Sequence, residues 1–383
     1  MNKLKEKIFK LRDTVKNRIY GQQGMIDKMI VALLCNEHTL IEGLPGTGKT
    51  TAVKIIADAI DGIICRRIQF TPDLQPTDLI GGRTIDNSGN FIMKKGKIYC
   101  HILIADEINR APSKVQSALL EVMQERRITR IDIDDEILLL DNEEIEKLDK
   151  TKLIKYSQEL GISSQPNEKE VKKELNEKVK SLKEFTQPNF DGVFCVFATQ
   201  NPIEQEGTFP LAEAALDRFF FMVKVEELKE EHTKKIIEEH ANFKISEDSS
   251  QIRRLEDEPV EKVITLEDLK KMQNEILDVG IPNYLQDYIN CICRSLKLSP
   301  SNEYVKKYVR IGPSVRAYQA MVKASKAYAY LKDKEEVTIS DVQRAAFDIL
   351  RHRIKLTFEA INRGVNTEDI VEEVFKDIGY KEK

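Results

Sequence analysis

At 383 residues and 41% apolar content, the chain is too long for one small core and fits two domains plus an insertion. A formal net charge of −4 on a chain with 32% charged residues implies a well-solvated, helix-rich surface, and nothing in it calls for nucleic acid. Six cysteines sit in apolar runs without a C-x-x-C, and the five histidines show no ligand spacing, so buried thiols in a reducing cytoplasm are expected, not disulfides or zinc.

In chain order, Met1 to Arg18 places Leu4, Ile8, Leu11 and Val15 on one face, which predicts an amphipathic helix with no signal-peptide core. The longest apolar stretches are strand-sized, which excludes a membrane span. From Ile19 to Val225 apolar runs alternate with helical patterns, the signature of an α/β fold with a parallel sheet. The candidate strands are Thr39–Ile41, Ile63–Phe70, His101–Ala105, Val193–Ala198 and Phe219–Val225. Between Gly81 and Lys97, Asp86-Asn87-Ser88-Gly89-Asn90 separates two alternating runs and predicts a hairpin. Asp141 to Pro188 carries 10 Lys, no Arg and 11 Asp or Glu, with Val171, Leu175, Val179 and Leu182 on one helical face. With Leu153, Ile154 and Leu160 as a further apolar patch, it reads as an inserted helical subdomain of two or three helices. After Glu226 only helices are expected, among them Leu266–Asp278, Asn283–Ser295, Ser314–Lys332 and Ser340–His352, the last capped by Thr338 to Asp341. Lys244–Pro259 is polar and acidic and reads as a loop.

The chemistry centres on Gly43-Leu44-Pro45-Gly46-Thr47-Gly48-Lys49-Thr50, which writes G-x-x-x-x-G-K-T between a strand and a helix continuing through Thr51. Backbone N–H groups of such a loop cradle phosphates at a helix N-terminus, the Lys ammonium reaches the terminal ones, and the Thr50 hydroxyl holds Mg²⁺. Asp106 and Glu107 end an apolar strand. The first suits the metal and the second the attacking water, although an isolated Asp-Glu pair also serves as a helix cap. Asn201 ends the next strand and would orient that water, the alternative being a simple Asn-Pro turn. Arg218 and Arg316 have the chemistry to stabilise a transferring phosphoryl group, from a neighbouring subunit and from the second domain respectively, with surface ion pairs as the bland reading.

Those runs, with Arg67-Ile68-Gln69-Phe70-Thr71-Pro72-Asp73-Leu74, Ala105–Pro112, Gln116–Glu125, Ala198–Thr208, Leu216–Phe219 and Arg351-His352-Arg353, resemble a MoxR-type AAA+ ATPase over nearly the whole chain except the insert. The resemblance implies an αβα P-loop core over residues 1–225, an all-helical lid over 226–383, and a helical insertion at 141–188 before the sensor 1 strand. It implies ATP and Mg²⁺ between subunits of a ring, usually hexameric. Lys49 and Thr50 would be Walker A, Asp106 and Glu107 Walker B, Asn201 sensor 1, Arg218 the finger acting in trans and Arg316 sensor 2. Chaperone-like remodelling of a protein client is implied, often with a von Willebrand factor A domain partner.

By the same analogy Phe91 and Met93 would be client-facing, with a plain surface hairpin as the alternative. Position 315 is Val where relatives commonly have Pro. Leu148–Ile162 and Val171–Leu182 also resemble small SAP or Rho N-terminal modules, some of which bind nucleic acid, but the mixed charge of the insert argues against a phosphate footprint. Three functions follow: a ring ATPase remodelling a protein, a nucleic-acid-linked motor using the insert, and a nucleotide-gated scaffold. The intact Asp106-Glu107 pair and Arg218 weigh against the last.

Overall fold

The structure is a computed structural model that describes residues 3–85, 91–128, 135–162, 167–186, 190–202, 207–241, 259–298 and 302–379. Two compact units emerge. The first comprises residues 1–72, 101–111 and 193–383, the second 73–100 and 112–192.

All five expected strands form in the first unit. They make one parallel sheet in the order Cys65–Gln69, Ile102–Asp106, Cys195–Gln200, Thr39–Glu42, Phe221–Lys224. The middle strands are buried along nearly their full length, as strands covered on both faces must be. The amphipathic start becomes the helix Lys3–Lys16, which buries Ile8, Leu11 and Val15, with Leu4 partly buried against the same core. Helix Gln23–Leu34 packs on the strand Phe221–Lys224 and also on helices Leu266–Asp278 and Val315–Leu331. One continuous apolar core therefore runs from the sheet into the C-terminal helices.

Those C-terminal helices follow their predicted starts because the caps are good. Thr265 and Asp268 form a reciprocal capping box, and Thr338 and Asp341 form another. The expectation of helices alone after Glu226 needs correction. Ile264–Thr265 pairs in parallel with Ile60–Asp61, and Val309–Ile311 pairs antiparallel with Lys355–Leu356. Ile264, Thr265, Val309 and Ile311 are β-branched, which suits the extended backbone of these short stretches. The thiols also depart from expectation. All six are free, but only Cys100, Cys195 and Cys293 are buried, and Cys291 is exposed because it lies two residues from Cys293 on the opposite side of its helix. The expected acidic loop at 244–259 falls almost wholly outside the described residues, as do the hairpin turn 86–90 and the Phe91 side chain. Among the described residues no helix is long and apolar enough to cross a membrane.

In the second unit the strands Gly81–Ile85 and Phe91–Lys95 form the expected antiparallel hairpin. Its base is so close that a Cβ on Gly81 would lie 2.1 Å from the Lys94 carbonyl oxygen. Helices Asn142–Glu146, Lys150–Glu159 and Glu168–Thr186 build the insert, each of the first two capped by an aspartate, Asp141 and Asp149. Leu153, Leu160, Val171, Leu175, Val179 and Leu182 share a separate small core with Ile137 of the preceding helix Asp135–Leu139. Ile154, expected in the apolar patch with Leu153 and Leu160, is instead 49% exposed, because Leu153 and Tyr156 take the inward positions of the helix. Met93 is not a free hairpin tip residue. It packs against the insert core, while Ile92 of the same strand is exposed.

Candidate active site

The Thr39–Glu42 strand ends at the phosphate-loop sequence, and the helix Lys49–Asp58 begins as it closes. Gly46 and Gly48 adopt φ of 77° and 76°, left-handed geometry that glycine takes without steric cost. Gly43 is packed so closely that a Cβ there would meet Val225 Cβ at 2.7 Å. Lys49 Nζ lies across the loop, donating to the Gly43 and Leu44 carbonyls at 2.7 and 2.6 Å. Burial lowers the Lys49 pKa, while Asp106 and Glu107 act in the opposite direction.

Because Ile102–Asp106 is flanked by Cys65–Gln69 and Cys195–Gln200, its terminal carboxylate receives donors from both sides and from the loop. Thr50 Oγ donates to Asp106 Oδ1 at 2.8 Å, Thr199 Oγ donates to the same oxygen at 3.1 Å, and Arg67 Nε donates to Oδ2 at 2.5 Å. Glu107 follows with a left-handed φ of 56°, costly for a residue with a Cβ, and its N–H donates to Thr199 Oγ at 3.1 Å. Its carboxylate makes no helix-cap bond. It accepts from Gln69 Nε2 at 2.6 Å and lies 3.2 Å from Arg110 Nε. The cap alternative for the Asp-Glu pair therefore does not describe these side chains.

A cleft of about 220 Å³ is lined by Pro45, Gly46, Thr47, Gly48, Lys49, Thr50 and Thr51, together with Asp106, Glu107 and Asn201. Gly43 does not line it, and neither does Arg218 or Arg316. Arg218 follows the short helix Glu213–Leu216, is half-buried, and makes no side-chain hydrogen bond or ion pair among the described residues. Arg316, in the first turn of Val315–Leu331, donates through Nη1 to Asp217 Oδ2 at 3.1 Å.

Asp217 is a hub that sequence reasoning missed. Besides Arg316 it accepts from Ser314 Oγ at 2.9 Å and from Arg353 Nε at 3.0 Å. The Arg353 side chain is 2% exposed, and its remaining N–H groups donate to the carbonyls of Asp217, Phe219, Phe220 and Ile349. Burial takes its pKa down to about 10 against the pull of Asp217. Next to it, His352 is buried and held well below the usual imidazole range by burial and by Arg353, with Nε2–H donating to the Phe219 carbonyl at 3.0 Å. Arg67, Gln69 and Thr199 were also missed as site residues. For the first two the signal was present, since alternate residues at the end of a strand share one face; for Thr199 it lay only in the strand order.

The donor set fits a magnesium ion that keeps most of its waters. Among the described residues no group of three or more His, Cys, Asp or Glu could cage a metal, whereas one hydroxyl and one carboxylate beside a phosphate loop match what Mg²⁺ takes from a P-loop protein.

The family described as ATPase family associated with various cellular activities (AAA) matches residues 38–142 and 165–221, and the AAA lid domain matches 302–374. The break in the first match falls within the insert. Chaperone MoxR1 of Mycobacterium tuberculosis is 31% identical over 95% of this chain and 80% of its own length. The uncharacterized protein YeaC of Bacillus subtilis is 32% identical over 94% and 90% respectively. A crystal structure from Cytophaga hutchinsonii, described as that of an ATPase, superposes with a TM-score of 0.75 at 31% identity, covering 99% of this chain and 96% of that one. The chain thus belongs to the MoxR family of AAA+ ATPases and is an ATP-hydrolysing enzyme.

Proposed function

We propose that the protein works as a ring, in the family's usual hexameric form, and couples ATP hydrolysis to chaperone-like remodelling of a protein complex in the cytoplasm. The observation that carries this reading is the split of the site. Lys49, Thr50, Asp106, Glu107 and Asn201 meet at one cleft, while Arg218, whose side chain makes no hydrogen bond or ion pair among the described residues, lies outside it. Such an arginine serves phosphoryl transfer only if the cleft it completes belongs to a neighbouring subunit.

In this reading the loop N–H groups and Lys49 bind the phosphates of ATP, and Thr50 and Asp106 hold Mg²⁺. When bound, the metal neutralises charge on the phosphoryl oxygens. Glu107 accepts the proton of the attacking water, Asn201 orients it, and Arg316 leaves Asp217 to contact the nucleotide from the lid. Residues 1–225 form the nucleotide-binding core, 226–383 the lid, and 141–188 a docking insert. The word chaperone in the name of the mycobacterial relative supports a protein client. A von Willebrand factor A domain protein is the partner class that family analogy favours.

The experiment is the ATPase rate per subunit across a protein concentration series, with and without single-stranded or duplex DNA. A rate that rises with concentration and ignores DNA supports the shared-site ring acting on protein. Strong stimulation by DNA would replace it with a nucleic-acid-linked motor.

A further inference from the structure

Asp106 is 4% exposed, and among the described residues three donors meet its two oxygens. They are not equivalent. Thr50 and Thr199 both bind Oδ1 and belong to the start of a helix and the end of a central strand, so they are fixed by the fold. Oδ2 receives Arg67 Nε at 2.5 Å, and the Arg67 side chain is 62% exposed. It projects from the outermost strand of the sheet and lines the same cleft as Lys49 and Thr50. Arg67 is thus the one donor on Asp106 able to leave without disturbing buried packing.

A hydrated magnesium ion held by Thr50 uses the neighbouring carboxylate as acceptor for its bound waters. With Oδ1 committed to two hydroxyls, the carboxylate has Oδ2 left for those waters, and there the metal meets a guanidinium. Two cations at one oxygen repel, so only one gains the full attraction of the carboxylate. A guanidinium released at this place remains beside the phosphate loop, where its planar donors suit phosphate oxygens.

We propose that Arg67 is a positioning residue that acts as a displaceable internal cation. It competes with magnesium for Asp106 Oδ2 and, once displaced, lies with the triphosphate, so that it sets how strongly nucleotide binding depends on the metal. The inference rests on the proposed nucleotide site at this cleft.

The test is equilibrium binding of a fluorescent adenine nucleotide to wild type, R67Q and R67K, in EDTA and over a MgCl₂ series. Removing the competitor in R67Q should lower the magnesium concentration at half-effect by about threefold, the scale of one part-exposed ion pair. The same substitution should weaken metal-free nucleotide binding by about threefold, because Asp106 without its internal cation then faces the triphosphate as an unneutralised negative charge. R67K, which keeps the charge, should recover part of the metal-free affinity. A magnesium half-effect in R67Q that is unchanged or raised overturns the proposal, since Arg67 would then be a surface ion pair or a support for the metal. If wild type shows no saturable nucleotide binding in either condition, the nucleotide site itself is wrong. If K49A loses binding while R67Q leaves the magnesium series unmoved, only the role of Arg67 falls.

Discussion

Replacing Asp217 by Ala should destabilise the fold far more than replacing the Arg316 that it also binds. Arg353 is 2% exposed at the side chain, so losing Asp217 strands a buried cation, whereas Arg316 is 46% exposed and can turn to water. Breaking a buried pair from one side costs about 3–5 kcal/mol, and an exposed pair contributes about 0–1 kcal/mol. Four backbone carbonyls still accept from Arg353, which places Asp217→Ala near the lower bound, at about 3 kcal/mol. Asp217→Asn keeps an acceptor for Ser314 and Arg353 without the charge, and should cost roughly half as much. The assay is urea unfolding followed by far-UV circular dichroism at constant protein concentration, comparing D217A, D217N and R316A. Equal midpoints for D217A and R316A would refute the reasoning, because they would mean that the buried guanidinium is satisfied by carbonyls alone.

The remaining expectations concern the chemistry, the pH response and the insert. Lys49→Ala should lose nucleotide binding, and Glu107→Gln should retain binding while turnover falls by about two orders of magnitude or more; calorimetric titration and phosphate release separate the two. Burial raises the pKa of Glu368, but the hydrogen bond and charge of Arg351, with Thr367 and Lys224, outweigh it and hold the carboxyl at about 2 against an ordinary 4.5. The folded value is the lower one, so this stabilisation is present above pH 4.5 and is lost as pH falls towards 2. After solvent screening it should amount to about 1–2 kcal/mol, and Glu368→Gln should flatten the stability profile over that interval. Leu175 is fully buried in the small insert core, so Leu175→Ala should cost about 2–4 kcal/mol locally. Hydrogen exchange should then quicken in residues 135–186 while nucleotide affinity holds; a loss of affinity would show that the insert is not an independent core.

Periodicity carried the fold because the middle strands are apolar nearly throughout and the C-terminal helices have strong caps. The small strands Ile264–Thr265 and Val309–Ile311 escaped notice because two or three residues carry no period. Ile154 was misplaced by adjacency, since both it and Leu153 are apolar and only the partner helix decides which one turns inward. At the site, the loop and the Asp106-Glu107 pair are contiguous motifs and could be read directly. Arg67, Thr199 and the Asp217–Arg353 pair act through strand order and long-range packing, and a linear pattern does not encode which strand lies beside which. Arg351-His352-Arg353 was visible as a family run, yet nothing in its spacing pointed to Asp217, which lies 136 residues away.

The central claim, that the site is completed across subunits, is tested most directly by mixing Arg218→Ala with Lys49→Ala protein and measuring ATP hydrolysis against the mixing fraction. Each variant alone should be inactive, because one lacks the finger and the other cannot bind nucleotide. In a mixed ring a Lys49→Ala subunit lends Arg218 to its neighbour, so the rate should peak at equal proportions near about one quarter of wild type, the random-neighbour maximum of f(1 − f). A mixture no more active than its separate components, under conditions where subunits exchange, would contradict the account.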